Sequence, residues 1–176
     1  MQVTPSNVHI EAVKGGITQQ ADVQAIVNAA NAELTTGGGV AGAIHHAAGT
    51  ELYKECQQFA PIRPGEAVIT SGYKLPNEYV IHCLGPVYER RKNYEELLEK
   101  CYINALQLAE EKNIKSIAFP AISTGVFGYP MEAAAEVAVK TILKQIPQLK
   151  HVEKIKFVLF TQADLEIYQN KLEELQ

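Results

Sequence analysis

A chain of 176 residues, 47% apolar and 20% charged, can bury a core without a disulfide or metal to staple it. Its formal net charge of −4 argues against a surface that grips nucleic acid through many phosphates, so nucleic acid is not an expected partner. Three widely spaced cysteines (Cys56, Cys83, Cys101) fit reduced thiols better than a disulfide framework or a zinc site.

No basic-then-apolar leader and no apolar run of membrane length is present. The expectation is therefore a cytoplasmic chain with no membrane partner, folding as a single domain over residues 1–176. Neither a metal nor a cofactor is expected.

Residues 8–13 alternate in polarity and read as an opening strand, stopped by Gly15-Gly16. Residues 25–28 form a second short apolar strand. Residues 40–58 can be one helix, with Ala43, Ala47 and Leu52 suited to close packing and Gly42 and Gly49 letting backbones approach. Pro61, Pro64 and Gly65 mark a loop. Strands follow at residues 66–71 and 79–83, joined by a turn at 72–77.

The basic run Arg90-Arg91-Lys92 reads as the solvated start of a helix over residues 92–112. On that helix Tyr94, Leu97, Leu98, Cys101, Ala105, Leu108 and Ala109 share one face. Residues 116–119 are a buried strand. Pro130 suits the first position of an Ala-rich helix over residues 131–146. Residues 154–160 are the last strand, and Thr161-Gln162-Ala163-Asp164 is a capping box that opens the last helix.

Strands that alternate with helices predict an α/β layered fold with a largely parallel sheet. Ligands in such folds gather at the carboxyl ends of the strands. Two glycine-bearing stretches stand at such ends. One runs from Asn28-Ala29-Ala30-Asn31 to Gly37-Gly38-Gly39-Val40, the other from Ser123-Thr124-Gly125 to Val126-Phe127-Gly128. Each reads as strand, glycine loop, helix start, the setting in which backbone N–H groups collect an anion. Neither carries the Lys-Ser/Thr pair of an NTP-hydrolysing loop.

Plainer readings stand beside these. The glycines suit a simple turn, and Asn28 and Asn31 suit local turn bonding. Phe127 and Phe160 suit core packing. His45 lies one helical turn after Ala41 on the same face, which makes it either an acid–base candidate or a packing residue. His82, in an apolar strand, reads as a core histidine.

Taken together, Gly15-Gly16-Ile17-Thr18, residues 25–34, 37–49, 80–87, 118–130 and 157–160 resemble a macrodomain, the ADP-ribose-binding module, and most closely its bacterial MacroD-type branch. The resemblance implies a three-layer α/β/α sandwich around a mixed, largely parallel sheet. It implies ADP-ribose or an ADP-ribosylated protein as partner. It also implies metal-independent hydrolysis of mono-ADP-ribosylated Asp/Glu or of O-acetyl-ADP-ribose. A monomer is expected.

By the same resemblance Gly37, Gly39 and Val40 meet the diphosphate on one side, and Ser123, Thr124, Gly125 and Val126 on the other, with the Ser123 hydroxyl assisting the amides. Asn31 bonds the distal ribose and Phe127 packs on it. Ile17 and Phe160 line the adenine pocket, and Asn28 organises the loop. Catalytic candidates are Asn31 and His45. Two departures fall at the chemistry: Gly16 and Ala41 each stand where the family usually has Asp. Ala41 cannot take a proton, so the alternative is a non-catalytic reader of ADP-ribose or a related nucleotide.

Overall fold

A computed structural model describes residues 7–88 and 93–176. Six strands form one sheet: β1 (His9–Lys14), β2 (Ala25–Ala29), β3 (Ala67–Ser71), β4 (Tyr79–Cys83), β5 (Ser116–Phe119) and β6 (Lys154–Leu159). Their order is β1-β6-β5-β2-β4-β3, parallel throughout except where β3 pairs with β4. The helices are α1 (Gly39–Ala48), α2 (Thr50–Cys56), α3 (Tyr94–Glu111), α4 (Met131–Gln145) and α5 (Gln162–Leu175).

The central strands are apolar on both faces because both faces are covered. Successive residues point to opposite sides. Val27, Ile81, Ile117, Phe119, Ile155 and Phe157 pack on α3, α4 and α5, while Ile26, Val80, Ala118 and Val158 pack on α1 and α2. This is the mixed-sheet α/β/α sandwich expected.

On the first side α3 presents Leu98, Cys101, Tyr102, Ala105, Leu106 and Ala109, a stripe at helical spacing. A row of rings, Tyr102, Phe119, Phe157 and Tyr168, runs beneath it with centroids 5.1, 6.1 and 5.2 Å apart. The three cysteines are buried and unpaired.

The single helix expected over residues 40–58 is two. Gly49 takes a φ of +92°, which breaks the helical path between α1 and α2. Its N–H closes on the His45 carbonyl, and the Ala48 carbonyl accepts from the Lys74 N–H instead of from a helical partner. The Ala-rich helix stops one residue early, and a 3-10 turn (Ile146–Gln148) holds Pro147. The basic run Arg90-Arg91-Lys92 lies outside the described residues, and from Asn93 onward the expected helix is present as α3. Among the described residues no helix is long and apolar enough to cross a membrane.

Candidate functional site

Four neighbouring strands, β1, β6, β5 and β2, end side by side and in the same direction. The segments that leave them line one cleft of about 960 Å³. Gly15, Gly16 and Ile17 follow β1, and Phe160 follows β6. Residues 120–127 follow β5, and Ala30 and Asn31 follow β2. Gly38, Gly39, Val40 and Ala41 close the floor.

The first glycine loop delivers the start of α1 into this cleft. Gly37 and Gly39 hold φ near +55°, a region that other residues rarely adopt. The N-cap is Gly38, which has no side chain, and no acid stands in the first turn. The first intrahelical bond runs from the Gly42 N–H to the Gly38 carbonyl. The Gly39, Val40 and Ala41 N–H groups therefore point forward with no intrahelical acceptor, and the helix dipole adds to their pull on an anion.

Hydrogen bonds hold the second loop by three of its carbonyls. The Tyr129 N–H donates to the Ser123 carbonyl (2.9 Å), the Gly128 N–H to the Gly125 carbonyl (3.0 Å), and the Tyr88 N–H to the Phe127 carbonyl (2.8 Å). Among the described residues no acceptor meets the N–H of Ser123, Gly125, Val126 or Phe127. Ser123 holds a φ of +71°, strained for a side chain that is not glycine.

The side chains of this loop act differently from expectation. The buried Ser123 hydroxyl donates to the Pro86 carbonyl at 2.7 Å, so its proton pins the loop rather than reaching into the cleft. The Thr124 hydroxyl donates to the Ala121 carbonyl at 2.7 Å. Any anion here meets main chain. Val126 is fully exposed, Phe160 is 83% exposed, and Phe127 is half-buried, so apolar groups rim a polar floor.

Asn31 is half-buried at the cleft wall. Its Oδ1 accepts from the Thr35 N–H (2.9 Å) and hydroxyl (3.3 Å), and its Nδ2 donates to the Thr35 carbonyl (3.2 Å). It organises the loop, the role expected of Asn28. Asn28 instead is buried in β2, where its Nδ2 donates to His82 Nδ1 at 3.0 Å across the β2–β4 register. His82 Nε2 then donates to the Thr70 hydroxyl (2.9 Å), which donates to the Ser71 carbonyl. Burial pushes the His82 pKa down to about 3. This is the satisfied core histidine expected.

His45 is not among the residues that line the cleft. Ala41 meets the cleft, but one turn further along α1 the same face meets the core. There the His45 ring is buried 6.4 Å from His82, with neither nitrogen bonded to a described residue. Burial lowers its pKa, so it stays neutral at ordinary pH. That placement corrects its candidacy as an acid–base group.

Asp22 does not reach the cleft either. Its carboxylate bonds Lys154 and the buried Lys156, and the Lys154 bond holds its pKa down at about 2. Cleft residues that the sequence reading passed over are Gln19, Gly85, Met131 and Asp164. Gly85 and Asp164 follow strand ends, which is the one signal that marks them. Among the described residues no three His, Cys, Asp or Glu side chains cluster as a metal site.

The Macro domain family model matches residues 27–138. The chain is 48% identical over 169 residues to Macro domain-containing protein CT2219 of Chlorobaculum tepidum, covering 96% of this chain and 98% of the relative. It is 46% identical over 168 residues to the O-acetyl-ADP-ribose deacetylase of an Enterobacter species, covering 93% of each. The fold superposes on the Oceanobacillus iheyensis macrodomain with ADP at a TM-score of 0.92 and 45% identity, over 99% of this chain and 95% of that one. A chain with this sheet order, this cleft and these likenesses belongs to the Macro domain family.

Proposed function

We propose that the cleft binds ADP-ribose and that the chain hydrolyses ribose esters of it: mono-ADP-ribosylated Asp or Glu, or O-acetyl-ADP-ribose. The observation that carries this reading is the pair of amide runs. N–H groups of residues 39–41 and of Ser123, Gly125, Val126 and Phe127, unpartnered among the described residues, line one cleft and suit a diphosphate held between them. Fixed dipoles, not long cations, would take the charge, in keeping with a net charge of −4.

In this reading Ile17 and Phe160 take the adenine, while Asn31 and Phe127 take the distal ribose. Both substrate classes are esters of that ribose, so one water serves both. The water is held by a substrate phosphate oxygen and the Asn31 amide. In the Asp or Glu ester it adds to the anomeric carbon, the anomeric C–O bond breaks, the carboxylate leaves with the electron pair, and the water's proton passes to solvent. In O-acetyl-ADP-ribose it adds to the acetyl carbonyl carbon, the acyl C–O bond breaks, and the ribose oxygen leaves with the electron pair and takes up the water's proton. We expect a monomer in the cytoplasm with reduced thiols, free of membrane.

The second reading is a reader that binds without turnover, and Ala41 favours it. A positioned acid–base group is worth about 10²–10⁴-fold in rate, and Ala41 supplies none. Release of ADP-ribose from a Glu-modified protein, followed by intact mass with substoichiometric enzyme, separates the two. Multiple turnover that falls in Asn31→Ala is expected. Binding without release over hours would leave only the reader.

A further inference from the structure

Gly16 removes a side chain from the cleft edge, and Gln19 stands beside the point where that side chain would begin. The 3-10 turn Ile17–Gln19 closes with a bond from the Gln19 N–H to the Gly16 carbonyl (3.1 Å). It folds the Gln19 carboxamide back over Gly16. The amide Oε1 lies 3.6 Å, and Cδ 3.9 Å, from the point a β-carbon on Gly16 would occupy.

The next residue anchors the turn. Gln20 Nε2 donates to the Gly16 carbonyl at 2.9 Å, and Gln20 Oε1 accepts from the buried Lys156 at 2.6 Å. Gln19 is exposed, lines the cleft, and makes no side-chain hydrogen bond to a described residue. Ile17 and the exposed Phe160 ring line the same end. An aromatic face with one carboxamide beside it suits a purine, which stacks and offers two hydrogen-bonding atoms on one edge.

We infer that Gln19 reads the base in this cleft, and that its carboxamide lets the cleft take 6-oxopurine as well as 6-aminopurine nucleoside diphosphate riboses. The inference rests on the ADP-ribose reading above. Facing a 6-aminopurine, Oε1 accepts from the exocyclic amino group and Nε2 donates to N1. Facing a 6-oxopurine, half a turn about Cγ–Cδ lets Nε2 donate to O6 while Oε1 accepts from N1–H. A carboxylate has only acceptors, so on either edge it can make one of these two bonds but not both. Asp164, in the first turn of α5, is the carboxylate among the described cleft residues, and it is the rival reader.

Calorimetric titration with ADP-ribose and with inosine diphosphate ribose decides the matter. The native chain is expected to bind the two within about tenfold of each other. Gln19→Glu should weaken both by about tenfold, since a carboxylate loses the one donated bond that each base receives. Gln19→Leu should weaken both.

A native preference for ADP-ribose above about 100-fold would overturn the inference. So would unchanged affinities for both compounds in Gln19→Leu, or a ratio that moves with Asp164→Asn instead. Failure of the native chain to bind either compound would bring down the ADP-ribose reading itself, whereas binding with the wrong ratio removes only the role of Gln19.

Discussion

Helices α1 and α5 both begin beside the cleft, and they begin in opposite ways. At α5 the Thr161 hydroxyl accepts from the Asp164 N–H, and Asp164 puts a negative charge in the first turn. That start is satisfied by its own sequence. At α1 the cap is Gly38, the first turn is Gly39-Val40-Ala41, and nothing of its own answers the N–H groups. An N-cap side chain is typically worth about 0.5–2 kcal/mol against alanine and roughly 0.3 kcal/mol against glycine. Forgoing one at α1 leaves a helix end whose natural partner is an external anion. The difference teaches that one element can be built for stability and its neighbour for a ligand, from the same kind of junction.

Four substitutions break or sharpen this contrast. The largest effect is expected from Gly39→Glu, which places a carboxylate and a side chain in the open end of α1, at a φ that disfavours both. ADP-ribose affinity measured by calorimetry should fall by about 100-fold or more, the scale of one lost charge-assisted anchor.

Gly38→Ser is subtler. Gly38 has an extended backbone, and a β-carbon there meets nothing within 4 Å, so serine fits and caps α1 as Thr161 caps α5. Thermal stability should rise by roughly 0.3 kcal/mol while ADP-ribose binding weakens several-fold, since the hydroxyl competes for the same N–H groups. Stability and affinity moving in opposite directions is the signature.

Thr161→Ala makes the reverse change. It should lower stability by about 1 kcal/mol in urea denaturation. Because Asp164 still fills that helix start, it should not create a second site for phosphate.

The smallest effect belongs to Asp22→Asn. The folded pKa of Asp22 lies near 2, below its ordinary 3.8, so its stabilising pairs are present above the ordinary value and lost as pH falls through about 2. Half-exposed as it is, the carboxylate should contribute under about 1 kcal/mol at pH 7. Denaturation curves of variant and native chains should converge near pH 2.

Much of this layout is legible in the sequence because it is local. Short apolar strands, the glycine loops that follow them and the Thr161–Asp164 cap each declare themselves within a few residues. What is not legible depends on partners far along the chain. Residues 43–52 keep a helical period straight through Gly49, and the break shows only in the fold, in the positive φ of Gly49 and the pairing of Lys74 with the Ala48 carbonyl. Asn28 and Asn31 look equivalent in sequence. The β2–β4 register gives one to His82 and leaves the other at the cleft. Helical spacing put His45 on the face of Ala41, but spacing cannot say that this face passes from cleft to core within one turn. The Ser123 hydroxyl was free to face a ligand until the fold brought the Pro86 carbonyl to it.

The most direct test of the open helix end is to watch its amides. A titration with ADP-ribose followed by ¹⁵N–¹H correlation spectra reports each N–H separately. The account requires the amide protons of residues 39–41 and of Ser123, Gly125, Val126 and Phe127 to move downfield together, along one saturation curve, with the first-turn amides of α5 far less perturbed. Saturable binding that leaves residues 39–41 unmoved, or shifts confined to one of the two loops, would contradict a diphosphate held between them.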